Sequence, residues 1–244
     1  MIQEKQIAFV SGSTKGIGLA IALKLQTDGY AVIHNSRENI GAEDFKGIDH
    51  LVGDVTKIKD CAHLIHEIKS KYGRLDVLVC NVGSGRPISA DSDVGEYWDH
   101  YKGLNLDSAT FLIESSLSLL KESRGRVIAI SSICAEDPRI NAPVGYASSK
   151  AALQMYVKSM AVRHGRDGLR FNLVSPGNVY FEGSVWDKKL QEDRTEVENY
   201  INDVVPLRSF VSVDDVAEAV SFLVSAKSKN ITGTNLKVDG GQSI

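Results

Sequence analysis

Cysteine, proline and long apolar runs are scarce in this sequence of 244 residues. The three cysteines, Cys61, Cys80 and Cys134, are odd in number and form no Cys-x-x-Cys pair, which argues against a secreted disulfide framework and favours reduced thiols. No apolar run approaches the ~20 residues of a membrane-spanning helix. The opening MIQEKQ lacks the apolar stretch of a signal peptide. We therefore expect a cytoplasmic protein that does not enter a membrane.

Long basic runs are also absent. The formal net charge is −3 at pH 7, and no basic stretch marks a nucleic-acid or membrane surface. Cys61, His63 and His66 lie close together in the sequence, but three ligands at that spacing cannot all converge from one helix face. We predict no metal site, and we expect a small molecule rather than a nucleic acid as the partner.

The chain alternates short apolar runs with helical stretches. Its length, with 43% hydrophobic and 24% charged residues, suits one domain spanning 1–244. Fully apolar runs are typical of strands covered on both faces in a parallel sheet. We predict an α/β fold with strands at 7–10, 31–34, 50–52, 75–80, 126–130, 170–174 and 236–238. The predicted helices are 19–25, 57–72, 94–121, 144–164 and 213–225, with 38–47 too short for a crossover helix and 181–200 forming a longer excursion.

A glycine-rich turn, SGSTKGIG, joins the first predicted strand to the first helix. Glycines at such a junction let the backbone approach a phosphate, and the helix N-terminus favours the anion. The spacing is Gly-x-x-x-Gly-x-Gly rather than Gly-x-Gly-x-x-Gly, and the alternative is that these glycines only tighten the turn. The candidate cofactor-binding residues here are Gly12, Ser13, Thr14, Lys15, Gly16, Ile17 and Gly18.

The end of the second predicted strand carries Asn35, Ser36 and Arg37. NAD sites place an acidic residue near this point to bond the ribose hydroxyls, whereas an arginine pairs with a 2′-phosphate. Lys15 adds a second positive charge nearby. Ser36 and Arg37 therefore join the predicted cofactor site, and NADP(H) is favoured over NAD(H). The alternative is that both cations are solvated surface residues.

Tyr146 and Lys150 are four residues apart in a predicted helix, so their side chains share one face. A phenol has a pKa near 10 and needs a shift of roughly 3 units, or about 4 kcal/mol, to exchange protons readily at neutral pH. An ammonium ~4 Å away contributes about 4 kcal/mol at an effective dielectric of ~20. We predict that Lys150 lowers the pKa of Tyr146 and makes it a general acid and base. The alternative is a core tyrosine beside a solvated lysine.

The motifs SGSTKGIG, CNVG, Asn105, Ser132 and YASSK occur in this order, and the sequence resembles the short-chain dehydrogenase/reductase family over essentially its whole length. The resemblance implies a single-domain Rossmann fold: a doubly wound parallel β-sheet of about seven strands with helices on both faces. It also implies that Asn105, Ser132, Tyr146 and Lys150 form a catalytic tetrad. Ser132 would bond the substrate oxygen and Tyr146 would exchange its proton. Lys150 would also bond the nicotinamide ribose, and Asn105 would hold a water in a proton relay.

By the same resemblance Asp54 contacts the adenine. The other cofactor contacts implied are Val55, Asn81, Val82, Gly83, Tyr146, Lys150, Pro176, Gly177 and Val179, with Asn178 beside them. The interval from Ser132 to Tyr146 is one residue longer than is usual in the family, which leaves Ser131 as an alternative to Ser132. Phe181 replaces the family's threonine after Pro-Gly.

The implied activity is reversible hydride transfer between NADPH and a carbonyl, with ketone reduction the favoured direction. The expected substrate pocket lies between the loops 84–93, 134–143 and 180–186, which contain Tyr180, Phe181, Trp186, Arg86, Glu136, Asp137, Arg139 and Glu182. Such walls suit an acyl chain, a sugar or a nucleotide sugar. The alternative is a non-catalytic NADP(H)-binding sensor with the same fold. We also expect a homo-oligomer, a tetramer or a dimer, although Phe111, Leu112 and Leu119 of the helix 94–121 equally suit a core.

Overall fold

The computed structural model of the protein describes residues 5–39, 49–89 and 91–244. The strands in these ranges are β1 (Ile7–Val10), β2 (Ala31–Ser36), β3 (Asp49–Val52), β4 (Val77–Cys80), β5 (Arg126–Ile130), β6 (Arg170–Pro176), β7 (Val179–Tyr180), β8 (Val211–Ser212) and β9 (Asn235–Val238). The α-helices are α1 (Gly16–Thr27), α2 (Ile58–Tyr72), α3 (Val94–Lys102), α4 (Ser108–Ser123), α5 (Val144–His164), α6 (Val185–Glu192), α7 (Arg194–Val204) and α8 (Val213–Val224).

Seven strands form one parallel sheet in the order β3-β2-β1-β4-β5-β6-β9. The register places Val10 of β1 beside His34 of β2 on one side and Val79 of β4 on the other. The strand order reverses between β1 and β4, and ligands of open α/β sheets bind outside the carboxyl ends of the strands at such a switch point. The predicted doubly wound Rossmann fold is confirmed, and every strand end named above as a site candidate lies at this edge.

Helices cover both faces of the sheet and enclose two apolar cores. On one face Leu64 of α2, Leu112 of α4 and Leu153 of α5 are at most 1% exposed. On the other face Ile21 of α1 and Val220 of α8 are fully buried. Burial of each such side chain stabilises the fold by roughly 1.5–3 kcal/mol. The two cores therefore hold the carboxyl edge of the sheet in a fixed geometry.

The structure corrects the predicted single helix 94–121. A π-helical turn, Gly103–Asp107, separates α3 from α4 and contains the buried Asn105. Turns of this width are frequent at functional sites. The excursion 181–200 also differs from a plain loop, because it contains α6 and the start of α7. Their apolar positions pack into a small separate cluster around Val197, Ile201 and Val205.

The N-terminus of α8 is capped by a serine. Ser212 is the cap, because its Oγ accepts from the Asp215 N–H at 3.0 Å while the Asp215 carboxylate accepts from the Ser212 N–H at 2.8 Å. The prediction for 38–47 falls almost entirely outside the described residues. Within the ranges that are described, no helix is long and apolar enough to cross a membrane.

Candidate active site

Ser132 lies at the carboxyl end of β5, where the chain enters a short 3-10 turn. Its Oγ accepts a hydrogen bond from the Cys134 N–H at 3.2 Å, which caps that turn. The neighbouring Ser131 is engaged with a buried side chain, because its Oγ accepts a hydrogen bond from Gln154 Nε2 at 3.3 Å. Ser132 also interacts with the Tyr146 hydroxyl and lowers its pKa. The geometry therefore favours Ser132 over Ser131 as the partner of Tyr146.

Lys150 lies one turn after Tyr146 on α5 and has only 3% of its surface exposed. Its Nζ donates to the main-chain oxygen of Ile130 at 2.7 Å. A Cβ built on Gly83 would lie 2.7 Å from Lys150 Nζ and 2.8 Å from Asn105 Oδ1. No side chain fits there, so a glycine at this position lets the segment after β4 approach both residues.

The prediction that Lys150 lowers the pKa of Tyr146 is wrong for the protein without a bound cofactor. Burial raises the pKa of Tyr146 to about 12, and the interaction with Ser132 offsets only part of that rise. Burial also lowers the pKa of Lys150 to about 8. The physical reason is that desolvation disfavours the charged form of each group, and the Lys150 amine donates to Ile130 rather than to the phenol.

Asn105 is fully buried and its side-chain amide is engaged with the backbone. Its Oδ1 accepts from the Ser84 N–H at 2.9 Å, and its Nδ2 donates to the main-chain oxygens of Ser84 and Tyr101, each at 3.0 Å. Both side-chain N–H groups are therefore taken. Asn105 therefore anchors the loop after β4. It has no side-chain N–H left to donate, so it could bind a water only by accepting a hydrogen bond through an oxygen.

The glycine turn has a conformation that requires glycine. Gly12 and Gly16 have φ values of +60° and +54°, in the left-handed region that other residues rarely adopt. A Cβ on Gly18 would lie 2.3 Å from the Gly12 oxygen. Asn81 Nδ2 donates to the main-chain oxygens of Ser11 and Gly12 at 3.0 and 3.1 Å. The turn is therefore fixed against the end of β4, beside the N-terminus of α1.

Phe181, which stands where the resembled family has threonine, packs on this turn. Two carbon atoms of its ring lie 2.7 Å from the position that a Cβ on Gly16 would occupy. An alanine at 16 would therefore meet both the ring and an unfavourable φ. With phenylalanine in place of threonine, an aromatic ring therefore packs over the glycine turn at Gly16.

The end of β2 presents a mixed set of groups. Lys15 and Arg37 are exposed cations on the wall of the cleft described below. The Ser36 hydroxyl interacts with His50 Nε2 at 2.8 Å and donates to the main-chain oxygen of Glu38. It is therefore already engaged inside the protein.

Asp54 closes the far side of the same region. Its Oδ1 accepts from the Thr56 N–H at 3.0 Å and from the Thr56 hydroxyl at 2.7 Å. Burial opposes ionisation, but these two bonds and the charges of Lys57 and Arg37 hold the pKa of Asp54 below its usual value. Asp54 is a carboxylate acceptor at neutral pH.

A cleft of about 1270 Å³ runs along the carboxyl edge of the sheet. Every residue predicted for catalysis or for cofactor binding lines it except Ser13, Gly16 and Asn105. Ser13 is fully buried and its Oγ accepts from the Asn35 N–H; the ring of Phe181 covers Gly16, and the amide of Asn105 faces the backbone. These three residues do not face the cleft but support the segments that form its wall. The volume exceeds the ~300–1,000 Å³ of a usual small-molecule pocket, which leaves room for a dinucleotide and a substrate together.

The substrate end of the cleft differs from its predicted walls. Tyr180 lies outside, with its ring 5.8 Å from that of Phe210. Glu136 pairs with Lys237 at 3.1 Å, and Asp137 forms an ion pair with the arginine two residues later. None of Tyr180, Glu136 and Asp137 lines the cleft.

The cleft wall also includes residues outside the predicted loops, among them several polar ones at this end. They include Lys189, Glu192, Asp193, Glu196, Tyr200 and Gln242. The spacing of four between Glu196 and Tyr200 was an available signal that these two side chains share one face of a helix, which is α7. Nothing in the sequence pattern marks Gln242, since its position depends on the return of the C-terminal segment to the cleft.

The residues of the cleft fit a nicotinamide dinucleotide. The glycine turn and the N-terminus of α1 form a cradle that a Cβ would fill, which suits a diphosphate. Asn178 lines the cleft and its Nδ2 is buried without a hydrogen-bond partner among the described residues. A carboxamide oxygen is a suitable acceptor for it. Lys150, Asp54 and Asn81 provide the further polar groups along the same wall.

Comparison with known proteins finds relatives that match nearly the whole chain. A family model described as enoyl-(acyl carrier protein) reductase matches residues 12–243. The 3-oxoacyl-(acyl-carrier-protein) reductase FabG of Buchnera aphidicola subsp. Acyrthosiphon pisum is 32% identical, with 97% of each chain covered. The acetoacetyl-CoA reductase of Allochromatium vinosum is 30% identical, over 97% of this chain and 98% of the relative.

A solved structure gives the same result. The aldohexose dehydrogenase AldT of Thermoplasma acidophilum superposes with a TM-score of 0.87 at 30% identity, over 98% of this chain and 94% of that one. The resemblance inferred from the motifs is thereby confirmed over nearly the full length. The chain belongs to the short-chain dehydrogenase/reductase family and is an NAD(P)-dependent oxidoreductase.

Proposed function

We propose that the protein transfers hydride reversibly between NADP(H) and a small ketone or secondary alcohol, with ketone reduction as the main direction. The observation that carries the proposal is the meeting of Ser132, Tyr146 and Lys150 on one cleft wall with the glycine turn at its other end. When bound, the nicotinamide supplies the hydride. The protein orients the carbonyl, polarises it and delivers a proton.

Tyr146 is the proton donor. With its pKa raised to about 12 by burial, the phenol is protonated at neutral pH and is ready to act as an acid. This favours reduction over oxidation. Ser132 interacts with Tyr146 and would donate to the same carbonyl oxygen, which stabilises negative charge as it develops there.

Lys150 binds the ribose of the nicotinamide nucleotide and places a positive charge near Tyr146. Its pKa of about 8 keeps the amine largely protonated at pH 7. Of its three N–H bonds, one is directed to the Ile130 oxygen, and the other two are available to ribose hydroxyls. Asn105 supports the loop after β4 and offers an oxygen to a water of the proton relay.

NADP(H) is the favoured cofactor because Lys15 and Arg37 are exposed at the adenosine end of the cleft. The Asn35 amide, one residue before the end of β2, is used internally, since its Nδ2 donates to the main-chain oxygens of Leu51 and Gly53 at 3.2 and 3.1 Å. A hydrogen bond between charged groups contributes about 1.5–3 kcal/mol. Arg37→Ala is therefore expected to raise the KM for NADPH about 10- to 100-fold and to leave the KM for NADH unchanged.

The control for this measurement is Lys59→Ala, which removes an exposed cation of α2 that does not line the cleft. It should leave both KM values unchanged. Equal effects of Arg37→Ala on NADPH and NADH would refute the proposed recognition of the 2′-phosphate.

A homo-oligomer and a cytoplasmic location complete the proposal, together with a single domain. Leu112 and Leu119 are at most 2% exposed and belong to the core, so they do not support an interface. Met155 and Val162 on α5 are 66% and 85% exposed and offer an apolar face for a second copy. Light scattering coupled to gel filtration decides between a monomer and a dimer or tetramer.

The activity is tested by following NADPH oxidation against a panel of ketones, acyl thioesters and keto-sugars. We expect turnover of at least one class, faster with NADPH than with NADH. Tight NADPH binding with no turnover of any panel member would instead favour the non-catalytic sensor.

A further inference from the structure

Two buried polar atoms at the substrate end of the cleft have no hydrogen-bond partner within the described residues. They are Arg139 Nε, in the loop after β5, and Gln242 Oε1, in the C-terminal segment. Both residues line the cleft, and Gln242 is only 6% exposed. A buried polar group left unpaired costs about 1–3 kcal/mol, and folded proteins retain few of them. Atoms of this kind on a cleft wall are ready to bind a ligand.

The surrounding contacts hold these side chains in place. Arg139 Nη2 donates to the main-chain oxygen of Gln242 at 2.6 Å and also pairs with Asp137. Gln242 Nε2 donates to the Tyr200 hydroxyl at 3.1 Å. Exchanging the oxygen and nitrogen of the Gln242 amide would let Tyr200 donate instead and would leave an N–H unpaired. One unpaired polar atom therefore remains in either orientation.

An aromatic platform lies beside this polar group. The rings of Trp186 and Tyr200 stack with centroids 5.4 Å apart and an interplanar angle of 23°, and both residues line the cleft. Lys189 Nζ lies 4.7 Å from the centroid of the Trp186 ring. Aromatic faces combined with amide and guanidinium groups suit a ligand that presents C–H groups on one side and hydroxyls on another.

The charges at this end disfavour a phosphorylated carrier. Glu192, Asp193 and Glu196 line the same part of the cleft, and the charge of Arg139 is offset by Asp137. Like charges repel a phosphate group over about the ~8 Å Debye length of physiological salt. An apolar acyl chain is also a poor fit, since it would leave Gln242 and Arg139 unpaired.

We propose that Arg139, Gln242 and Tyr200, with Trp186 beside them, form a subsite that binds the hydroxyl groups of a neutral sugar or polyol. This inference rests on the proposed function, because it names the substrate of that same site. In oxidation, the Tyr146 phenol would first pass its proton to solvent, and the phenolate would then take the hydroxyl proton of a secondary alcohol whose hydride goes to NADP⁺. The products would be a ketone, NADPH and one proton in solvent, and reduction would be the reverse.

The test compares D-glucitol, xylitol and D-fructose with acetoacetyl-CoA as substrates of the wild-type protein and of Gln242→Met. Methionine keeps the length of the side chain and removes its amide. We expect turnover of the sugar class, with KM raised about tenfold in Gln242→Met and kcat unchanged. The matched control is Gln26→Met on α1, which lies outside the cleft and should behave as the wild-type protein.

A second readout does not depend on turnover. Intrinsic tryptophan fluorescence is titrated with D-glucitol, and saturable quenching that Gln242→Met weakens supports the subsite even where no reaction occurs. Absence of saturable quenching in the wild-type protein would overturn it. A kcat/KM for acetoacetyl-CoA equal to or above that of the best sugar or polyol would also overturn the inference, while leaving the proposed oxidoreductase function in place.

Discussion

Replacing Lys150 with methionine tests whether a charged amine is buried at the centre of the site. The amine has only 3% of its surface exposed, and burial lowers its pKa from 10.5 to about 8. Each unit of pKa difference between folded and unfolded chains corresponds to ~1.4 kcal/mol. The linked effect on the free energy of unfolding is therefore about 3 kcal/mol.

The direction in which the free energy of unfolding changes with pH follows from the number of protons that each state binds. Between pH 8 and pH 10.5 the unfolded chain still binds the Lys150 proton and the folded chain has released it, so stability rises with pH in this window. Below pH 8 the folded protein carries the full cost of the buried charge. Relative to Lys150→Met, the wild-type protein should gain about 2–3 kcal/mol between pH 7 and pH 10.

Urea denaturation of both proteins at several pH values measures this difference. Groups common to both chains cancel when the two curves are subtracted, provided that the urea dependence of the free energy is the same. Lys158→Met, on the exposed side of the same helix, is the control and should show no such trend. A constant separation between wild type and Lys150→Met from pH 7 to pH 10 would refute the reasoning.

Two further predictions concern neighbouring positions. Ser132→Ala should lower kcat about 10²- to 10³-fold by removing a donor to the developing oxyanion, whereas Ser131→Ala should leave kcat nearly unchanged; the reverse order would show that Ser131 is the catalytic serine. Gly16→Ala should lose roughly 1–2 kcal/mol of stability because alanine is strained at a positive φ, and it should lose more because its Cβ would collide with Phe181. Gly29 also has a positive φ, but no atom lies within 4 Å of the position of its Cβ. Gly29→Ala should therefore lose only the contribution of the strained φ. Equal losses at the two glycines in thermal unfolding would contradict the packing of Phe181 on the turn.

The sequence predicted the parallel sheet and the long helices well because their apolar periodicity is strong. The strands β1 and β5 and the helix α5 begin and end where the pattern indicated. The glycine turn was recognisable because positive φ values at Gly12 and Gly16 require that residue type. Local rules of this kind can be read one segment at a time.

Features that depend on contacts between distant segments were not predictable. The π-helical turn that holds Asn105 has no marker in its apolar pattern, and Gln242 reaches the cleft only because the end of the chain folds back over Gly177. The pKa of Tyr146 was predicted in the wrong direction, since spacing reveals the nearby amine but not the degree of burial. Burial is a property of the whole fold.

The central claim is that the Tyr146 hydroxyl delivers the proton beside a bound nucleotide. Tyr146→Phe removes only that oxygen and keeps the ring that contacts Gly85. The direct test is to measure NADPH affinity and kcat for this variant on the best substrate found. We predict unchanged affinity and a kcat lowered about 10²- to 10⁴-fold; a variant that binds NADPH and retains full turnover would contradict the claim.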